Sequence, residues 1–261
     1  MIKLGMCTGD ITNLSAVKCT EEAGFDYFEP ALGSIYNLSD DEFEETYQKL
    51  SAFSIKAESV NCMLTGGVRV TGPEVNTQAT HDYLDKAFAR AERLGVKTVV
   101  FGSGGARQIP EGFDVAQGWR QIGNFLRLTE KHAAEHDITI AIEPLRKVES
   151  NVLNYVSEAT LLASLINMPH IGVLGDTYHM AMGGEGFSSL TMAGDMLKHV
   201  HVANAIGRAF PKVGDGEKYE ALFDTLYEMG FEGRVSVEAT ARDFNSECPE
   251  AFRALDAFRR K

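Results

Sequence analysis

The spacing of apolar residues switches between two periods from one end of the chain to the other. Short alternating or wholly apolar runs of strand type occur at residues 2–6, at FDYFEP, at residues 57–62, and at KTVVF, ITIAIE, HIGVLGD, HVHVAN and RVSVEA. Between them lie stretches with apolar residues at helical spacing, such as Phe43, Tyr47 and Leu50 within residues 40–53, or Trp119, Phe125 and Leu128 within residues 114–136. Further helices are expected at residues 15–23, 74–94, 157–166, 188–197, 219–229 and 250–258, the first closed by Gly24 and the long second one by Gly95. Glycine-rich loops, LTGGVRVTGP and GSGGARQIPEG, follow the third and fourth strands. This βα alternation fits an α/β fold, either a closed (β/α)8 barrel or an open doubly wound sheet.

The last four strands share one design. Successive strand side chains point to opposite faces, so in ITIAIE the residues Thr139, Ala141 and Glu143 form one row against Ile138, Ile140 and Ile142. Pro144 cannot donate to a ladder and ends the strand just after Glu143. The same reading brings Asp176 to the end of HIGVLGD, His201 to the inner row of HVHVAN and Glu238 to the end of RVSVEA. Any one strand-end acid caps a helix or meets a lysine as easily as it binds an ion. Four metal-competent side chains at matching positions point to a shared site, because (β/α)8 barrels carry their chemistry at the carboxyl ends of the strands. Two glutamates, an aspartate and a histidine make an oxygen-rich set, suited to one divalent ion such as Mn²⁺, with Co²⁺ or Mg²⁺ as alternatives.

Composition narrows the field. With 261 residues and 44% hydrophobic content, the chain suits one barrel domain spanning residues 1–261. A net charge of −12 argues against nucleic acid as a partner. The four cysteines, Cys7, Cys19, Cys62 and Cys248, form no C-x-x-C pair and are expected to be reduced, which fits a cytoplasmic protein. MIKLGMCTGD opens as a strand rather than a signal peptide, and no run approaches a membrane span.

The strings IEPLRKVES, GDTYHM, HVHVANAIGR and VSVEA resemble the latter half of the xylose isomerase-like TIM barrels, especially the sugar epimerases that include the ketose 3-epimerases. The resemblance implies that Glu143, Asp176, His201 and Glu238 are metal ligands, and that Glu143 and Glu238 also exchange protons with a small sugar substrate, one on each face. It implies substrate contacts from Glu149, His179 and Arg208, and a homodimer or tetramer. Arg208 stands seven residues after His201, where the family pattern has six.

The chemistry leaves three outcomes open. A proton beside a carbonyl leaves only if the resulting enediolate is stabilised, for which a divalent Lewis acid serves. Return of the proton on the opposite face gives epimerisation, return to the neighbouring carbon gives aldose–ketose isomerisation, and a leaving group gives elimination. A non-catalytic sugar-binding barrel is the alternative of another class. A zinc-cluster apurinic endonuclease would need further histidines where this chain has Asn61 and residues 102–105. GSGGARQ could form a nest of backbone N–H groups beside Arg107 that binds a phosphate or carboxylate, or a plain βα turn. Glu29 is expected either to contact a sugar hydroxyl or to make a structural hydrogen bond, and His199 to be a packed barrel residue. Cys7 and Asn61 are placed along the pocket wall, and His81, His132, His136 and His170 on outer packing surfaces.

Overall fold

The computed structural model describes residues 1–65 and 67–260; Gly66, within the glycine-rich loop expected after the third strand, and Lys261 lie outside them. Nine strand segments form one sheet: β1 (Lys3–Gly9), β2 (Tyr27–Pro30), β3 (Lys56–Ala57), β4 (Ser59–Val60), β5 (Thr98–Phe101), β6 (Thr139–Ile142), β7 (Ile171–Asp176), β8 (Leu197–Val202) and β9 (Arg234–Val237). The order is β3-β2-β1-β9-β8-β7-β6-β5-β4 and the ladders are parallel. β3 and β4 are two halves of the expected third strand. The first half pairs with β2 and the second with β5, so the sheet closes into a barrel through one strand that serves each neighbour in turn.

Glu58 stands at the break, where its N–H turns back to Lys56 O at 3.1 Å and its own carbonyl accepts from Lys97 N at 2.9 Å. Its carboxylate accepts from Lys3 Nζ at 2.7 Å and from Arg234 Nη2 at 2.7 Å, both at the starts of their strands. These paired charges lie at the amino-terminal floor of the barrel.

The interior above that floor is divided. On one side Val100, Ala141 and Leu174 form a small apolar cluster from β5, β6 and β7. On the other side the inward rows of β2, β8 and β9 carry Tyr27, Glu29, His199, His201 and Ser236, all fully buried. Gly5 on β1 makes room for them, since a Cβ there would stand 2.2 Å from the Tyr27 ring. The main core lies between barrel and helices and runs from Ile2 to Leu255, which is where most of the hydrophobic driving force resides.

The principal helices are Leu14–Ala23, Asp40–Leu50, Thr77–Leu94, Val115–Glu135, Val156–Ile166, Ser188–Ala193, Tyr219–Glu228 and Phe244–Asp256. Gly24 and Gly95 end the first and third of these in the left-handed conformation, as expected of C-cap glycines. The helix expected at residues 74–94 begins at Thr77 and the one within residues 40–53 ends at Leu50, and two boundaries differ further. The α-helix placed at residues 188–197 stops at Ala193, where Gly194 takes a positive φ of 54°, and a 3-10 turn over Gly194–Met196 leads into β8 at Leu197. The last helix begins six residues before Glu250, at Phe244, and runs through Pro249. Asp243 caps it by accepting from Asn245 N at 3.2 Å, which sets the start upstream of the proline. Three short helices were not expected: Leu32–Asn37, Gly104–Arg107 and Thr177–Gly183, each just after a strand. Among the described residues no helix is long and apolar enough to cross a membrane.

Candidate active site

Glu143, Asp176, His201 and Glu238 each bring one donor atom to within 4.8 Å of the others at the carboxyl end of the barrel. Glu143 follows β6 directly and keeps its register, its N–H donating to Phe101 O at 3.2 Å. Asp176 ends β7 and also caps the helix Thr177–Gly183. Its Oδ1 accepts from Tyr178 N at 2.7 Å and His179 N at 3.3 Å, which leaves Oδ2 for the site. His201 directs Nδ1 to Glu143 Oε1 at 3.3 Å and to Glu238 Oε2 at 3.2 Å. Glu238 accepts from Asn61 Nδ2 on Oε1 at 3.2 Å and from Arg208 Nη2 on Oε2.

The crowding of charge shows in the ionisation of Asp176. Burial, with Glu238 and Glu143 nearby, raises Asp176 to about 6 despite the opposing pull of His179. Burial would also raise Glu238, but His201 and Arg208 outweigh it and hold that carboxyl at about 2. For His201 burial disfavours the cation, yet Glu238 and Glu29 prevail and lift it well above the usual imidazole range. The surplus of negative charge, the oxygen-rich donors and the 4.8 Å span fit a divalent ion bound at about 2.0–2.6 Å per ligand. A second grouping, Cys7 with Glu29 and His201, fits poorly. Burial and the Glu29 charge push the Cys7 thiol well above its ordinary value, so it stands as a neutral thiol.

Around these four lie the side chains expected to meet substrate. His179 accepts from Arg146 N on Nδ1 at 3.3 Å, so its hydrogen sits on Nε2. That Nε2 is buried without a hydrogen-bond partner, 3.5 Å from Asp176 Oδ2 and 4.0 Å from Glu149 Oε2. Glu149 is steadied by Arg146 Nε at 2.5 Å. Arg208 reaches the group despite its extra residue of spacing. Gly207 and Arg208 both adopt positive φ, 74° and 51°, and the loop is pinned by Asn204 N to Ala209 O at 2.9 Å and Thr240 N to Arg208 O at 2.7 Å. The insertion is absorbed as a left-handed turn that leaves the guanidinium 3.3 Å from Asp176 Oδ2.

Arg107 requires a correction. GSGGARQ contains a single helical turn, Gly104–Arg107, and the arginine side chain is fully buried beneath it. Its Nη1 donates to Phe101 O at 2.7 Å and its Nη2 to Glu143 O at 2.5 Å. Phe101 O also accepts from Glu143 N at 3.2 Å, so the guanidinium ties together the ends of β5 and β6 and is spent on main-chain carbonyls rather than on the loop. Burial lowers its pKa to about 10, opposed by Glu143. Three contacts were not anticipated from sequence: Asn61 on Glu238, Glu29 on His201 and Gly102 against Glu143. Their signal was the inward row at each strand end, which holds more than the acids and histidines. His81 with His132, His136 with Glu92 and His170 with Glu130 pair on the outer helices and before β7, away from the site.

Residues 17–260 match the xylose isomerase-like TIM barrel family. The chain belongs to that family. Within it, the chain is 27% identical over 124 residues to 3-dehydro-D-guloside 4-epimerase of Escherichia coli (strain K12), covering 47% of each. It is 24% identical over 240 residues to L-ribulose 3-epimerase of Methylomonas sp. (strain DH-1), covering 89% of this chain and 78% of that one. The match spans about half or less of the first two curated relatives, 47% of the guloside enzyme and 37% of the ketose 3-epimerase of Arthrobacter globiformis. Among solved structures, D-allulose 3-epimerase from Methylomonas sp. in complex with D-allulose superposes with a TM-score of 0.85 at 20% identity, covering 99% of this chain and 97% of that one. The apo 3-keto-D-glucoside 4-epimerase from E. coli gives 0.83 at 19%, covering 98% and 100%. At these identities the superpositions establish the xylose isomerase-like TIM barrel fold, and the named relatives are sugar epimerases.

Proposed function

We propose that this chain epimerises a ketose or keto-sugar at the carbon next to its carbonyl, with one divalent ion held by Glu143, Asp176, His201 and Glu238. The observation that carries the reading is the convergence of those four donors, from four consecutive strands, within 4.8 Å. The names of the relatives support it with a shared chemical logic. Inverting C3 of a 2-ketose and inverting C4 of a 3-keto-glycoside are the same operation, inversion of a centre beside a carbonyl.

A divalent ion, Mn²⁺ as the first choice with Co²⁺ or Mg²⁺ as alternatives, supplies when bound the positive charge that stabilises the deprotonated sugar. The protein's own groups do the rest. Of Glu143 and Glu238, which enter from the nonadjacent β6 and β9, one takes the proton from carbon and the other returns a proton to the opposite face. His179 offers its Nε2–H and Arg208 its guanidinium to sugar oxygens, while Glu149 accepts from a hydroxyl. Asn61 and Arg208 hold the two oxygens of Glu238, which keeps its carboxylate plane fixed for the transfer.

Ketoses, ketose phosphates and 3-keto-glycosides incubated with the protein and Mn²⁺ in deuterium oxide test the proposal by NMR. Deuterium at the carbon beside the carbonyl, with inversion there, is the expected result. Deuterium on the former carbonyl carbon would make the protein an isomerase, loss of water an eliminase, and no exchange from any compound a sugar-binding barrel.

A further inference from the structure

We infer that Glu29 is the positioning residue of the ion site, acting through His201. The inference rests on the reading that His201 ligates a divalent ion. Glu29 is the last residue but one of β2, on the far side of the barrel from β6 and β7, and is fully buried. Its Oε1 lies 2.9 Å from His201 Nε2. Its Oε2 accepts from Ser236 Oγ at 2.5 Å and lies 2.9 Å from His199 Nε2. Behind Ser236, the Tyr27 hydroxyl closes the chain at 2.6 Å. Both carboxylate oxygens are thus engaged, and the group cannot rotate without breaking contacts on two strands.

The consequence falls on His201. An imidazole has two nitrogens, and the hydrogen bond made by one decides what the other can do. With Nε2–H given to Glu29, the remaining nitrogen, Nδ1, is the one turned to Glu143 and Glu238 at 3.3 and 3.2 Å. Glu29 accordingly selects the nitrogen whose lone pair faces the ion, fixes the ring about its bonds and makes that nitrogen a stronger donor. Packing alone would not call for this arrangement. The opposite side of the same interior is filled by Val100, Ala141 and Leu174, while this side takes on the cost of a buried carboxylate. Every contact of that carboxylate leads to His201 or holds Glu29 still for it.

Glu29→Gln keeps the shape but exchanges one acceptor for an amide donor. The measurements are Mn²⁺ affinity by calorimetry at fixed pH, the absorption bands of the Co²⁺ form, and thermal unfolding of the metal-free protein. The expected result is a loss of Mn²⁺ affinity of about 10–100-fold with shifted Co²⁺ bands in a protein that still unfolds cooperatively. Should Glu29→Gln fail to fold, Ser236→Ala releases one tether on Oε2 and is expected to weaken Mn²⁺ and shift the Co²⁺ bands in the same direction by a smaller factor. Wild-type affinity and an unshifted Co²⁺ spectrum in a folded variant would overturn the assignment while leaving the ion site intact. A wild-type protein that binds neither ion would overturn the functional reading and this assignment together.

Discussion

Gly102 lies directly against Glu143: a Cβ at position 102 would stand 1.8 Å from Glu143 Oε2. The obstructed atom is the end of a side chain and can swing aside, but that movement takes the carboxylate of a proposed ligand out of its place. The bareness of the β5 end is what lets the carboxylate occupy its place.

Gly102→Ala is therefore expected to displace the Glu143 carboxylate. Mn²⁺ affinity and turnover should fall by more than about tenfold, with a stability loss of about 1–3 kcal/mol from overpacking. Calorimetry and thermal melting read the two effects separately, and wild-type affinity would mean that the ion site does not depend on the bare residue beside Glu143.

Glu143→Gln and Glu238→Gln each remove a proton carrier while nearly preserving volume. Each should abolish deuterium exchange of the substrate proton, with the fold retained by circular dichroism. Turnover surviving in both would remove the proposed acid and base. In the parent protein, EDTA should stop exchange and added Mn²⁺ or Co²⁺ should restore it.

The pH dependence of ion binding has a definite sign. His201, raised well above the ordinary imidazole value, must lose a proton before Nδ1 can ligate, so affinity falls as pH drops through neutrality. Asp176 is raised to about 6, so below that pH a second proton must be displaced. The slope of log affinity against pH should steepen from about one to about two near pH 6. Calorimetric titrations from about pH 8 to about pH 5, corrected for buffer ionisation, check this; a flat profile would contradict it.

Arg107→Met separates a structural arginine from an anion-binding one. The buried Glu143 carbonyl would lose its donor, while Phe101 O keeps the Glu143 N–H, so denaturant unfolding should show a loss of about 1–3 kcal/mol. Unchanged stability with weaker binding of phosphorylated sugars would return Arg107 to the loop's ligand.

The helix boundaries show where local pattern is enough and where it is not. Gly24 and Gly95 end their helices as read, because a left-handed cap depends on one residue's own conformational freedom. The last helix, read as residues 250–258, starts at Phe244 because Asp243 caps it, a signal that lies outside the apolar spacing.

The sequence by itself determined the alternation of strands and helices and placed Glu143, Asp176, His201 and Glu238 on inward rows at successive strand ends. Both are local consequences of side-chain period, which is written in the order of the residues. Only the tertiary structure decided that the third strand bends at Glu58 to close the barrel, that Arg107 turns down onto main-chain carbonyls, and that Glu29 meets His201 across 172 positions of chain. Those contacts depend on ladder register and barrel closure, which are set by the packing of the whole core and have no counterpart in the spacing of any one segment.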